Sequence, residues 1–135
     1  MKNPNPYLNF DGNAKEAMTF YSKCLGGKLD VMPFGDEAGP ENKGRTLHAC
    51  ITVGGTPFLM ASDCPPRMAL KPGNNITINI PCESMEEITR LFGALGEKGH
   101  VIMPLGDQFW GAHFGMLTDQ YGIQWMFNYE LPKPS

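Results

Sequence analysis

The sequence has no hydrophobic run that approaches the roughly 20 residues needed to span a membrane as a helix, so no membrane protein is expected. Its N-terminal segment carries a single lysine and no apolar stretch, unlike a secretory signal peptide. A cytoplasmic protein is therefore expected. The formal net charge is only −3 and the 11 basic residues are scattered, which argues against binding to nucleic acids.

Motifs of several common active sites are also missing. The four cysteines, Cys24, Cys50, Cys64 and Cys82, form no C-x-x-C pair, and we interpret them as reduced, mostly buried thiols. No Gly-rich phosphate-binding loop connects a predicted strand to a predicted helix. There is no serine nucleophile elbow with accompanying His and Asp. The sequence therefore argues against nucleotide-binding and serine hydrolase sites of the common kinds.

What the sequence does contain is a faint internal repeat. Residues 5–28 align without gaps on residues 75–98, so that Leu8 matches Ile78. In each copy, apolar and polar residues first alternate as in a short strand, and apolar residues then recur every three to four positions as in an amphipathic helix. A chain of 135 residues forms one compact unit or two half-domains. The repeat therefore predicts a duplicated module, and paired sheets of this kind tend to wall a cleft.

Each copy predicts a βαβββ module, giving an α+β fold with two mostly antiparallel four-stranded sheets, each covered by one helix. The first module is assigned to residues 5–62 and the second to residues 74–130, joined by residues 63–73. Asn13 and Ser84 are the predicted helix N-caps, the latter within a capping box. The predicted strands cover residues 5–10, 28–34, 46–53, 57–62, 75–80, 100–104, 111–117 and 122–129.

The first strand of each module has one apolar and one polar face. The polar positions are Asn5, Tyr7, Asn9, Asn75, Thr77 and Asn79. Because a polar face in a small sheet needs water or a ligand, two interpretations remain open. The face is either a solvated outer surface or the lining of a pocket shared by the two sheets.

The segments AMTFYSKCLGGKL and DQYGIQWMFNY resemble the vicinal oxygen chelate superfamily, which includes glyoxalase I, bleomycin-resistance proteins and extradiol dioxygenases. The segments PYLNFDGNAKEAMTFY, LMASD and FWGAHFGMLTDQYGIQWMFN are most similar to its PhnB-like branch. The resemblance covers nearly the whole chain. It implies tandem βαβββ modules, a cavity inside an eight-stranded cup, and a homodimer in which modules are paired or exchanged.

Catalysis in that superfamily implies a divalent metal bound by His, Gln or Glu on the first and last strands of each half. The resemblance carries these positions onto Asn5 or Pro6, Met60, Asn75 and Met126. Thioethers and amides are poor ligands for zinc, nickel, iron or manganese. We therefore predict no metal and no other cofactor.

Some PhnB-like proteins carry a quinone-methyltransferase label, but no Gly-rich turn supports a nucleotide-like methyl donor here.

Three ionisable side chains are the candidates for chemistry. His48 lies in the middle of a predicted strand, and His113 lies beside the aromatic cluster of the segment FWGAHFG. Each is interpreted either as a general acid or base or as a packed structural histidine. Asp63 ends a predicted strand and either accepts a ligand hydroxyl or orders its own turn. Arg67 and Lys71 in the joint are either solvated charges or groups that screen an anionic ligand.

The resulting prediction is a homodimeric protein that binds a small, partly aromatic or apolar organic molecule in a metal-free cavity. The predicted pocket residues are Asn5, Tyr7, Phe58, Met60, Asn75, Thr77, Trp110 and Met126. The first alternative is a metal-dependent lyase, isomerase or dioxygenase of the vicinal oxygen chelate type, with a divalent metal bound by a set that includes His48 or His113. The second is an interaction module whose cleft is filled by its own side chains. The residues do not name a substrate.

Overall fold

The computed structural model describes residues 1–66 and 68–133, which form two compact units. The first unit spans Met1–Lys71 and the second begins at Pro72. Arg67, in the predicted joint, lies outside the described residues. Across the described residues, no helix combines the length and apolar character needed to cross a bilayer.

The first unit is a four-stranded sheet with one α-helix on one face. Its elements are β1 (Tyr7–Phe10), α1 (Ala14–Leu25), β2 (Lys28–Pro33), β3 (Thr46–Val53) and β4 (Thr56–Asp63), with 3₁₀ turns at Asp36–Ala38 and Pro40–Asn42. The strand order is β1-β4-β3-β2, with β1 parallel to β4 and the other neighbours antiparallel. Met18 and Tyr21 of the helix are fully buried, as are Ile51 and Leu59 of the sheet. These apolar side chains form the core of the first unit.

The second unit repeats the same plan. Its elements are β5 (Ile78–Pro81), α2 (Met85–Leu95), β6 (His100–Gln108), β7 (Ala112–Thr118) and β8 (Gln124–Glu130). The strand order is β5-β8-β7-β6, again with the first strand parallel to the last. Ile88, Leu95, Leu117, Trp125 and Phe127 are fully buried. The predicted α+β architecture of two βαβββ modules is confirmed.

Strand ends differ from the predictions in ways that affect the predicted site. β1 begins at Tyr7 and β5 begins at Ile78, so Asn5, Asn75 and Thr77 precede the strands on which they were predicted to lie. Just before β1, the backbone N–H of Met60 donates to the carbonyl of Pro6 at 3.1 Å. Before β5, the side chain amide of Gln124 donates to the carbonyl of Ile76 at 3.2 Å.

β6 is longer than predicted and continues to Gln108, past Pro104. Proline lacks the N–H that an interior strand donates to its neighbour. β6 lies at the edge of the second sheet, where one side of its backbone is unpaired, so Pro104 is tolerated there. The prediction that the strand ends at residue 104 was therefore wrong.

The two helices begin with different capping chemistry. At α2, the hydroxyl of Ser84 accepts from the N–H of Glu87 at 3.0 Å, and the Glu87 carboxylate accepts from the N–H of Glu83 at 2.9 Å. The predicted cap at Ser84 is thus confirmed. At α1, Asn13 occupies the N-cap position, but its side chain makes no capping hydrogen bond.

The side chain that satisfies the start of α1 is Asp63, at the end of β4. One carboxylate oxygen accepts from the N–H groups of Gly12 at 2.8 Å and Ala14 at 3.0 Å, and the other accepts from the N–H of Thr46 at 2.8 Å. Asp63 is only 3% exposed. Both of its oxygens accept backbone N–H groups, which gives Asp63 a structural role, and a catalytic role for it stays a prediction.

We expect Asp63→Asn to destabilise the protein by about 2–4 kcal/mol, because it removes the charge and replaces one acceptor oxygen with an amide donor. That donor would face a backbone N–H. Urea unfolding followed by circular dichroism measures the change. Asp36→Asn, at an exposed aspartate, is the control and should change stability by less than about 0.5 kcal/mol. Equal losses in the two variants would contradict the structural role.

Candidate functional site

Each sheet has one face covered by a helix and one face that the helix leaves free. In the first sheet, Tyr7 is paired with Met60, and Met60 is paired with Cys50. Directly paired residues on neighbouring strands project to the same side, and successive residues alternate. Tyr7, Met60, Cys50 and His48 therefore lie on the helix-free face, opposite the buried Leu59 and its neighbours.

The most organised feature of this face is a contact between Tyr7 and His48. The Tyr7 hydroxyl lies 3.2 Å from His48 Nδ1, and the two ring centroids are 5.8 Å apart. Because β4 lies between β1 and β3, the tyrosine side chain has to cross a whole strand to make this bond. The contact fixes the orientation of the imidazole ring on a half-buried strand position.

The second nitrogen of His48 remains available. Among residues 1–66 and 68–133, no hydrogen-bond partner occupies Nε2 of this ring. When the Tyr7 hydroxyl donates to Nδ1, the neutral ring carries its proton on Nε2 and can donate to a ligand. In the other tautomer, Nδ1 donates to the tyrosine and Nε2 accepts. Either arrangement presents one directed polar atom on the free face.

Of the other predicted pocket residues in the first unit, Phe58 lies on the helix-free face and Asn5 lies before β1. Phe58 is half-buried two residues before Met60 on β4, and thus on the same free face. Asn5 precedes β1, and its side chain amide donates to the carbonyl of Pro57 at 3.2 Å. The direct neighbour of Met60 on β1 is Tyr7, whereas Asn5 and Pro6, the positions that the resemblance offered, precede this strand.

The second sheet shows the same displacement of its first-strand residue. Met126 is paired with Asn79, whereas Asn75 and Thr77 lie before β5. Met116 and Met103 continue this row across β7 and β6. This row on the helix-free face of the second sheet thus presents three thioethers and one amide.

Trp110 belongs to an aromatic cluster at the turn between β6 and β7. Its ring packs edge-to-face on Phe114 at 5.7 Å and on Phe109 at 5.2 Å, and Phe109 is 97% exposed. His113 precedes Phe114 in β7 and therefore projects to the other face of the strand. There its Nδ1 lies 2.7 Å from a carboxylate oxygen of Asp107. His113 thus pairs with Asp107 and does not share a face with Phe114.

The residues at the expected metal positions do not fit a divalent cation. In the first unit the carried-over position on β4 is Met60, and its strand neighbour is Tyr7. In the second unit the carried-over position on β8 is Met126, and its strand neighbour is Asn79. Zinc, iron and manganese favour imidazole, carboxylate or thiolate ligands. Within the described ranges, no group of three or more His, Cys, Asp or Glu side chains is placed to hold a metal ion.

Comparison with known proteins identifies the family. The family model for 3-demethylubiquinone-9 3-methyltransferase matches residues 2–127. The chain belongs to this PhnB-like family. It is similar to protein PA1353 from Pseudomonas aeruginosa, with 43% identity over 98% of this chain and 100% of that one, and a TM-score of 0.87. The PhnB protein from Bacillus cereus is 31% identical over 95% and 99% of the two chains, with a TM-score of 0.80.

The wider fold is that of the glyoxalase and bleomycin-resistance proteins. A glyoxalase/bleomycin resistance protein/dioxygenase from Nocardioides covers 100% of this chain, which spans 89% of that protein, with a TM-score of 0.60 and 19% identity. At this identity the likeness concerns the fold alone. The family model and the PhnB protein from Bacillus cereus confirm the resemblance to the PhnB-like branch. Homodimer formation and a cytoplasmic location stay predictions.

Outside the free face of the first sheet, Cys82 has a perturbed thiol. Burial, followed by the negative charge of Glu87, raises the pKa of Cys82 to about 11 from its ordinary value of 9.0, and the positive charge of Arg90 opposes the change. The thiolate is the reactive form of cysteine. Sequence patterns gave no sign of this environment beyond the capping box that contains Glu87.

We expect Cys82 to react with iodoacetamide at about pH 8 roughly tenfold more slowly than an ordinary cysteine, since about 100-fold less thiolate is partly offset by its greater nucleophilicity. The rate should keep rising until the pH reaches about 11, where the raised pKa lies. Mass spectrometry of the Cys82 peptide measures the rate.

Glu87→Gln should lower the pKa of Cys82 and accelerate this reaction, because the variant removes a nearby negative charge but keeps a side chain oxygen for the Glu83 N–H. Glu86→Gln, one residue earlier on the same helix, is the matched control. A Cys82 rate that levels off near pH 9, or an equal response to the two variants, would contradict the assigned cause.

Proposed function

We propose that this member of the PhnB-like family binds a small, partly aromatic organic molecule on the helix-free face of its first sheet, without a divalent metal. The observation that carries the proposal is the bond between Tyr7 and His48, which orients the imidazole and leaves its Nε2 without a hydrogen-bond partner among the described residues. A bound molecule with one hydrogen-bonding group satisfies that nitrogen. The ligand covers Nε2 of His48 and removes it from water, and the hydrogen bond between the ligand and this nitrogen offsets the cost of that desolvation.

The surroundings of this pair have the composition of a small-molecule site. Such sites are mostly apolar and contain a few polar groups that fix the orientation of the ligand. Met60 and Phe58 supply half-buried apolar surface on the same face, and thioethers contact aromatic rings favourably. Tyr7 is 46% exposed, so its ring also offers area for stacking. We therefore place the ring of the ligand against these side chains and its polar group at His48.

Methyl transfer to a quinone, the reaction in the family description, is not part of the proposal. A nucleoside-type methyl donor commonly binds at a Gly-rich turn where a helix begins. In the first unit, the N–H groups of Gly12 and Ala14 are already bonded to Asp63. In the second unit, Ser84 and Glu87 cap the helix. The helix starts thus give no support to a donor site.

A thermal-shift screen of substituted phenols, quinones and bicyclic aromatic compounds tests the proposal. At about 100 times its dissociation constant, a ligand that binds only the folded protein adds about 2.7 kcal/mol to stability and raises the melting temperature. The same shift is expected in EDTA, because no divalent metal takes part. A shift that disappears in EDTA would defeat the metal-free proposal.

Variants of His48 and Tyr7 locate the binding face. His48→Asn keeps an atom near Nδ1 and removes Nε2, so we expect about tenfold weaker binding of any compound found, the loss of about one good hydrogen bond. His48→Gln, which retains a polar atom near Nε2, should bind more tightly than His48→Asn. Tyr7→Phe should also weaken binding, because it frees the imidazole ring to rotate.

His100→Asn, on an exposed histidine of the second sheet, is the matched control for these variants. It should leave affinity unchanged. The proposal fails if His48→Asn and His100→Asn bind equally well, or if the screen yields no compound that stabilises the folded protein.

A further inference from the structure

Three methionines form a continuous row across the second sheet. Met103 of β6 is the direct partner of Met116 of β7, and Met116 is the direct partner of Met126 of β8. Direct cross-strand partners have Cβ atoms about 4.5–5.5 Å apart. Met116 is therefore within side-chain reach of both flanking methionines, and all three project from the helix-free face.

A local irregularity in β6 creates this row. Val101 is paired with Leu117, and regular antiparallel pairing would place Ile102 opposite Met116. The register shifts between Val101 and Met103, and Met103 takes that place instead. A bulge of this kind redirects a side chain and is over-represented near functional sites. The sheet thus departs from regular pairing at the point where it brings the third sulfur to the other two.

The row of three methionines is partly exposed to solvent. The side chains beside it on β7 and β8 are uncharged. Met116 and Met126 are half-buried and Met103 is 39% exposed. The adjacent rows on the same face contain Phe114 with Asn128 and Thr118 with Gln124. His100, the partner of Thr118 on β6, is the nearest titratable group along these rows. Methionine has three rotatable side-chain bonds, so the sulfurs can turn toward one point.

We propose that Met103, Met116 and Met126 bind a soft monovalent cation, of which Cu⁺ is the physiological example and Ag⁺ a redox-inert analogue. Thioethers are soft ligands that select Cu⁺ over zinc, magnesium or calcium. The same chemistry that makes methionine unsuitable at a divalent site makes three methionines suitable for this one. The site lies on the second sheet and is independent of the ligand proposed for the first.

Thioether ligands give the site a signature in its pH dependence. Thiolate and imidazole ligands must lose a proton before they bind a metal, so their affinity falls as the pH is lowered. Thioethers carry no such proton. Affinity should therefore be the same at about pH 6 and about pH 8, whereas participation of His100 would weaken binding at the lower value.

The test uses the full chain with Cys50→Ser and Cys82→Ser, because these two half-buried thiols would compete for the ion. Cys24 and Cys64 are buried and are left in place. Ag⁺ is titrated into protein labelled with carbon-13 at the ε-methyl groups of its nine methionines. We expect one equivalent to shift three of the nine signals, those of Met103, Met116 and Met126, at either pH.

Met116→Leu removes the central sulfur with little change in volume and should weaken Ag⁺ binding by at least about tenfold, since loss of a direct ligand costs no less than loss of a supporting group. Met85→Leu, an exposed methionine on α2, is the matched control and should bind as the parent does. Circular dichroism establishes that both variants are folded. The proposal is overturned if the three signals do not move together, if they move only at the higher pH, or if the two variants bind equally.

Discussion

The first unit depends on the hydrogen bonds that the carboxylate of Asp63 accepts. The first N–H groups of an α-helix have no partner inside the helix and must be satisfied from elsewhere when they are buried. At the end of β4, Asp63 accepts hydrogen bonds from N–H groups at the start of α1 and from the N–H of Thr46 at the start of β3. One side chain therefore joins a helix and two strands. This arrangement fixes α1 against one face of the sheet and leaves the opposite face, with Tyr7 and His48, uncovered.

Local patterns in the sequence were sufficient for the parts of the fold that local physics determines. The helix at Met85–Leu95 follows from its apolar period and from the capping pair Ser84 and Glu87, which the structure contains. The two βαβββ modules follow from the repeat and from the family resemblance. In these segments, the residues that decide the structure are only a few positions apart, so a linear reading is enough.

Predicting the candidate site, in contrast, would have required knowledge of contacts between residues that are far apart in the sequence. Asn5, Asn75 and Thr77 were placed on strands because apolar and polar residues alternate in their segments, but β1 begins only at Tyr7 and β5 only at Ile78. The bond between Tyr7 and His48 joins positions 41 residues apart and exists only because β4 lies between β1 and β3. The role of Asp63 likewise depends on a helix start about 50 residues away. No spacing rule contains this information.

The bulge and the proline of β6 have a second consequence. An edge strand presents unpaired backbone groups to which another polypeptide can add, and Val101 and Ile102 make this edge apolar and exposed. Pro104 leaves β6 with one N–H fewer, and the shifts in register on either side of Met103 interrupt the regular spacing of its backbone groups. The irregularity that aligns the three sulfurs thus also protects the chain against strand-by-strand aggregation.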